Sequence, residues 1–250
     1  MLVQNKTEVF MKRILLKISG EQLGGKNSEG GFDVEVAKRL AKEVEEVIQM
    51  GAQMAIMVGG GNFIRGSQVA NEDIDRVTAD NAGMLSTVIN AILLGDVFQH
   101  AGVPVAVLSN MSVPQIVDDF TYRRALNHFS KDRVVILAGG TGMPFVTTDT
   151  GAIMLALQLK CDVVAKATKV DGVYVEDPIE NPKAHKLETL TYNEAVTNSN
   201  IRVMDKAALG MAGDNHLPIV IFELLKDGNI TKIAKGENLV PKLAKSGLIA

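Results

Sequence analysis

Ile14-Leu15-Leu16-Lys17-Ile18-Ser19-Gly20 sets a lysine inside a run of aliphatic residues and ends that run on a glycine. A short, nearly continuous apolar run bounded by glycine reads as a strand covered on both faces, the pattern of a parallel sheet. A lysine inside such a strand is costly unless its charge is paired or its stem snorkels to the strand end. Its place beside a glycine exit favours pairing with a ligand phosphate. Five more runs share the pattern, at 55–58, 105–108, 134–138, 163–167 and 219–222. Between the first two, Val36, Leu40, Val44, Val47 and Ile48 recur at helical spacing, with Asp33 as N-cap and Gly51 after the last turn. Further helices fit 75–98, with Met84, Leu85, Val88, Ile89 and Ile92 inward, then 150–159 and 205–213. Strand–helix alternation of this kind gives an α/β fold, a three-layer sandwich with a mainly parallel central sheet.

Glycines stand where the strands end. Gly20 follows the first run, Gly59-Gly60-Gly61 the second and Gly139-Gly140-Thr141-Gly142 the fourth. Ligands of open parallel sheets bind beyond the carboxyl ends of the strands, and backbone N–H groups gathered there suit phosphate. Two better-known phosphate motifs do not fit. Gly20-Glu21-Gln22-Leu23-Gly24-Gly25-Lys26-Asn27 nearly spells a P-loop, but Asn27 replaces the magnesium-ligating Ser or Thr. No helix is expected at once after it; the chain reads as glycine-rich loop until a helix opens near Val34. Gly59 to Gly66 has Ile64 where a dinucleotide fingerprint needs its third glycine.

Composition narrows the class. The 250 residues are 46% hydrophobic, carry a formal net charge of −3 and include one cysteine, Cys161. Scattered basic residues argue against a nucleic-acid binder, and a lone cysteine suits a reducing cytoplasm. The first ten residues lack the apolar core of a signal peptide, and no apolar run is expected to span a membrane. His100, His128, His185 and His216 show no metal-ligand spacing.

Four stretches occur in an order that resembles the bacterial uridylate (UMP) kinase branch of the amino-acid-kinase superfamily. They are Lys17-Ile18-Ser19-Gly20-Glu21, residues 59–66, the stretch Thr141-Gly142-Met143-Pro144-Phe145-Val146-Thr147-Thr148-Asp149, and residues 166–174 from Lys166 to Tyr174. Residues 76–80, from Arg76 to Asp80, point to the same branch, and the similarity runs from about Met11 to the C-terminus. The resemblance implies transfer of the ATP γ-phosphoryl group to UMP, in pyrimidine nucleotide synthesis. It implies that Lys17, Ile18, Ser19 and Gly20 grip the donor phosphates, with Gly61 and Arg65 approaching from the second glycine loop. Thr168, Tyr174 and Asp177 would border the donor base and ribose. Gly60, Asp80, Thr141, Gly142, Met143, Pro144, Phe145, Val146, Thr147 and Thr148 would hold UMP. Asp149 would organise the catalytic lysines, and Lys166 would add a second positive charge. The resemblance further implies one domain over 1–250, with an acceptor and oligomerisation lobe at about 11–160 and an ATP lobe at about 161–250. It implies a cytoplasmic homohexamer activated by GTP, through the region 24–32, and inhibited by UTP, with Mg2+ carried mainly by the ATP phosphates.

Plainer readings stand beside these roles. Asp149 also reads as an N-cap of the helix at 150–159, Arg65 as a solvated loop arginine, Asp162 as a strand start and Asp205 as a helix cap. Met143 stands where the family commonly has asparagine. Another kinase of the same fold acting on a carboxylate or carbamate, or a non-catalytic oxyanion or nucleotide binder, are the competing functions.

Overall fold

A computed structural model describes residues 10–24, 30–176, 181, 183–187, 190–198, 201, 203–237 and 248–249. The strands come first, because they position the site. β1 (Arg13–Ile18), β2 (Gln53–Val58), β3 (Val105–Ser109), β5 (Val134–Ala138) and β6 (Val163–Thr168) match five of the six expected runs to within two residues, and β4 (Asp118–Asp119) adds a short edge. β7 (Val173–Tyr174) and β8 (Lys186–Leu187) form a separate antiparallel pair. β9 (Leu190–Thr191), β10 (Ile219–Glu223) and β11 (Leu248–Ile249) complete the set among the described residues. The main sheet runs β4-β3-β5-β2-β1-β6-β10-β11-β9, parallel except at β11–β9. β1 therefore lies in the middle, between β2 and β6.

The helices are α1 (Gly20–Leu23), α2 (Val34–Gln49), α3 (Gly66–Val69), α4 (Arg76–His100), α5 (Tyr122–Phe129), α6 (Thr148–Gln158), α7 (Tyr192–Thr197), α8 (Lys206–Asp214) and α9 (Asn229–Ala234). Side chains alternate across the pleat, so β1 sends Ile14, Leu16 and Ile18 to one core and Leu15 to the other. The first core takes residues of α2, α4 and α9, and the second those of α5, α6, α7 and α8. Three layers result, as the alternation requires. α2 begins at Asp33, whose side chain accepts the N–H groups of Glu35 and Val36, and Gly51 follows its C-cap with φ of 92°.

Three expectations need correction. Gly20–Leu23 is a single helical turn directly after β1, not plain loop; residues 25–29 of the near-P-loop lie outside the described residues. α4 is apolar and long enough, by composition and its 25 residues, to cross a bilayer, contrary to the expectation that no such segment exists. It lies against the sheet instead. Leu85 and Ile89, expected inward, face out, while Ser86, Thr87 and Asn90 are buried. Apolar residues of α4 fall on every side of the helix, so hydrophobic periodicity picks no face; small residues and hydrogen bonds to the glycine loops do.

Candidate active site

Parallel pairing of β1 with β6 sets Ile14 beside Val163 and, three residues on, Lys17 beside Lys166. Each lysine is the fourth residue of its aliphatic run, so register and pleat bring both side chains to the same face. Like charges directly opposite on neighbouring strands repel. Asp149, in the first turn of α6, resolves the conflict. Lys17 Nζ lies 2.6 Å from Asp149 Oδ1, and Lys166 Nζ donates to Oδ2 at 2.7 Å. Lys166 also donates to the Val203 carbonyl at 2.5 Å. All three side chains are at most 14% exposed. Burial works against ionising Asp149, and the two ammonium groups override it, holding its carboxyl below the usual range. Burial likewise holds Lys166 below the ordinary lysine value, against the pull of Asp149 and with the push of Lys17. With both lysines charged, the cluster keeps one net positive charge out of water, a charge that calls for an anion.

Asp149 is held by its helix. Thr147, not Asp149, is the N-cap of α6: its hydroxyl oxygen accepts the N–H groups of Asp149 (3.1 Å) and Thr150 (3.4 Å) and donates to Asp205. Asp205 also accepts the Thr150 hydroxyl at 2.8 Å and caps α8 through the Ala208 N–H at 2.9 Å. It is the expected helix cap, and it ties the starts of α6 and α8 together as well. Asp162 accepts the N–H groups of Lys12 and Arg13, the strand-start role read from sequence.

The glycine exits converge on this cluster. A Cβ on Gly59 would lie 2.8 Å from the Gly20 nitrogen, so the first two exits touch backbone to backbone only because both are glycine. Gly139, at φ of 74°, donates its N–H to Thr87 at 2.7 Å. The loop from β5 to α6 then passes through Phe145, with φ of 64°, whose N–H donates to Asp80 at 2.7 Å. Arg76 donates Nε to both Asp80 oxygens at 2.8 and 2.9 Å, and its guanidinium stands 5.2 Å from the centroid of the Phe145 ring.

A model of the amino acid kinase family matches residues 12–223. The chain belongs to the amino acid kinase family. Among relatives, it is 43% identical over 233 residues to the uridylate kinase of Methylococcus capsulatus, covering 93% of this chain and 97% of that protein. It is 45% identical over 236 residues to the uridylate kinase of Rickettsia typhi, covering 94% and 96%. The solved UMP kinase of Bacillus anthracis superposes with a TM-score of 0.87 at 34% identity, over 96% of each chain.

On this amino acid kinase scaffold, Lys17, Asp149 and Lys166 meet, and Ser19, Gly20, Gly60 and Gly61 border them along the glycine exits. Ile18 sends its side chain into the core, so only its backbone lies at the edge, where its carbonyl accepts the Gly59 N–H. Arg65, preceding α3, pairs with Glu21 of α1, more than a solvated loop residue. Thr168 ends β6, its hydroxyl bonded to the Val170 carbonyl. Tyr174 stands on the separate β7–β8 pair with its hydroxyl on Asp171 at 2.6 Å, and Asp177 lies outside the described residues. Met143 is exposed at the tip of the β5–α6 loop; Thr141 accepts its N–H, and Gly142, Pro144, Val146 and Thr148 carry the loop to α6. A cavity of about 290 Å³ opens beside Lys166 and Asp149, walled by Met204, Asp205 and Lys206. The sequence reading singled out Asp205 of that wall but missed Met204 and Lys206, together with Thr87 and Asn90, for which polar residues among the apolar ones of α4 were the one signal.

Proposed function

We propose that this chain is a UMP kinase, transferring the γ-phosphoryl group of ATP to UMP to give UDP and ADP. One observation carries the reading: two buried lysines in register share one carboxylate at the point where the glycine exits meet. The acceptor is a phosphate monoester with a second pKa of about 6, so at neutral pH its oxygen is already a competent nucleophile and needs no base. The difficulty is electrostatic. One pair of unit charges at about 4 Å repels by roughly 4 kcal/mol at an effective dielectric of 20, and two polyanions bring several such pairs. Buried ammonium groups and amide N–H donors offset that repulsion, the usual basis of phosphoryl-transfer catalysis.

In this reading Lys17 and the Ser19–Gly20 turn, with Gly61 and Arg65, take the donor phosphates. Gly60, Asp80 and the loop from Thr141 to Thr148 take UMP, while Asp149 holds Lys17 and Lys166 in place. Thr168, Tyr174 and Asp177 border the donor base and ribose. The division into an acceptor lobe at about 11–160 and a donor lobe at about 161–250 follows, with β1 and β6 as the seam. Among the described residues no three His, Cys, Asp or Glu side chains stand together as a metal cage, and Asp149 is committed to lysines. By the family resemblance, magnesium would arrive on the triphosphate, where it would neutralise phosphate charge. A cytoplasmic homohexamer regulated by GTP and UTP rests on the family resemblance, and its association alone is supported also by the exposed aliphatic residues of α4.

Coupled measurement of ADP release with UMP, CMP, acetylglutamate, aspartate and carbamate tests the reading. UMP is expected to give the highest kcat/KM. Turnover only with a carboxylate or carbamate acceptor, or UMP and ATP binding without UDP, would overturn it.

A further inference from the structure

Asn90 is fully buried in α4, on the same inward face as Ser86 and Thr87 and among Val88, Ala91 and Leu94 of the first core. Its amide donates to the Gly59 carbonyl and to Asn62 Oδ1, each at 2.7 Å, and its Oδ1 accepts from Asn62 Nδ2 at 3.0 Å. Asn62 Nδ2 gives its other hydrogen to the Gly31 carbonyl at 2.6 Å. The two carbonyls fix both amide orientations, since only an NH2 end can meet each. All four amide hydrogens are thus used, in a reciprocal pair reaching from α4 through the second glycine loop to the chain segment that leads into α2.

The surroundings leave this pair little freedom. A Cβ on Gly20, the first exit, would overlap Asn62 Oδ1, one on Gly30 would lie 2.7 Å from the Asn62 carbonyl oxygen, and one on Gly24 3.2 Å from the Asn62 Cβ. A Cβ on Gly60 would meet the Gly83 carbonyl and the Ser86 Cβ at 2.7 Å. One turn earlier on the same helix, Thr87 takes the Gly139 N–H. A plain packing role would be met by an aliphatic side chain at position 90. A buried amide whose partners are the carbonyl of one glycine loop and a residue bridging to another does something more specific.

We propose that Asn62 and Asn90 are positioning residues: the amide pair sets the spacing between the first and second glycine exits and so aims their N–H groups at the donor phosphates. The inference rests on the phosphotransferase reading above. Neither residue needs to touch substrate, and the effect passes through the backbone of Gly59–Gly61 and Gly20. A displacement on the order of 1 Å at such loops costs about 100-fold in rate.

The test is a double-mutant cycle on the full chain with Asn62→Ala, Asn90→Ala and the pair. The assay reads kcat, KM for ATP and KM for UMP, with Mg-ADP affinity by calorimetry and melting temperature alongside. Asn62 lies at a part-exposed loop, so its variant keeps the test alive if Asn90→Ala does not fold. Each folded single variant is expected to lose at least tenfold in kcat/KM for ATP and to bind Mg-ADP more weakly. KM for UMP should rise by a smaller factor than KM for ATP, since UMP meets this loop only at Gly60 and is otherwise held by Asp80 and the loop from Thr141 to Thr148, and the double variant should be no worse than the poorer single one. Additive losses, equal losses for both substrates, or Mg-ADP affinity within twofold of wild type would overturn the inference while leaving the UMP kinase reading in place. Wild-type protein without UMP-dependent turnover would sink that reading instead. The amide pair would then be judged on Mg-ADP affinity alone, weakened if the inference holds and unchanged if it fails.

Discussion

Asp149 is flanked by two ammonium groups, and that asymmetry makes substitutions at the three charged positions unequal. Removing Lys17 leaves Asp149 still paired with Lys166, a neutral couple with a hydrogen bond at 2.7 Å. Removing Asp149 leaves two buried ammonium groups facing each other across adjacent strands. Stripping one partner from a buried ion pair costs about 3–5 kcal/mol. Asp149→Ala should therefore melt well below wild type, whereas Lys17→Ala should melt close to it and lose at least about 100-fold in kcat, the scale of one lost transition-state donor. Thermal scans and steady-state rates on the two variants check this; wild-type-like turnover by Lys17→Ala would remove that residue from the chemistry. The same cluster dictates a pH response. Lys166 is held below the ordinary lysine value, first by burial. At pH below its folded-state value the ammonium is kept at a cost to stability, and that cost is relieved as pH rises through the window between that value and about 10.4. Activity moves the opposite way, because the lost proton is a lost positive charge. The kcat profile is expected to fall on an alkaline limb that starts below about 10.4. Lys166→Arg, which keeps its charge, should lose that limb even where its rate is lower.

Elements decide how the residues are aimed, and α6 shows it most directly. Thr147 accepts two N–H groups at the helix start and donates to Asp205, so it both caps α6 and sets where Asp149 sits. Loss of an N-cap side chain costs about 1 kcal/mol, worth several degrees in a small domain. Thr147→Ala is expected to lower the melting temperature by a few degrees and to cut kcat, and Thr147→Ser to restore most of both. A variant that melts lower yet turns over at the full rate would show that the cap stabilises without aiming Asp149. Much of this level was legible in the sequence, because aliphatic runs ending on glycine are a strong signal. All six expected strands lie within two residues of the observed ones, and the lysine in the first run marked the site. What escaped was what periodicity cannot encode. α4 has apolar residues on every side, so the inward turn of Thr87 and Asn90 had to come from hydrogen bonds to loops distant in sequence. The pairing of Lys17 with Lys166 depends on strand order, and the Val203 carbonyl lies on a connection with no periodic pattern at all.

At the scale of the whole molecule, turning α4's polar residues inward leaves a cost on its other side. Leu85, Ile89 and Leu93 follow one another at intervals of four and are 45%, 42% and 39% exposed, with Val77 two turns earlier at 45%. Residues four apart on a helix lie one above another, so the three form a continuous aliphatic strip. Such a strip is self-complementary: a second copy related by a two-fold axis can lay its own α4 across it, each ridge in the other's groove. The homo-oligomer implied by the family resemblance would use this face, and burying it twice would remove the largest apolar liability on the helix. Ile89 is the middle residue of the strip, so a carboxylate there would sit near the centre of the contact and be desolvated in both copies. Sedimentation of the wild-type chain at micromolar concentration should give a mass that is a multiple of 26.8 kDa. Ile89→Glu should shift it towards the single-chain mass while leaving the far-ultraviolet dichroism unchanged. Because Asn90 is the next residue and holds the second glycine loop, the dissociated variant should also turn over more slowly, and high protein concentration should restore part of the rate. A wild-type chain that sediments as a 26.8 kDa monomer would show that the strip is not an interface, and an Ile89→Glu variant that stays assembled would place the interface elsewhere.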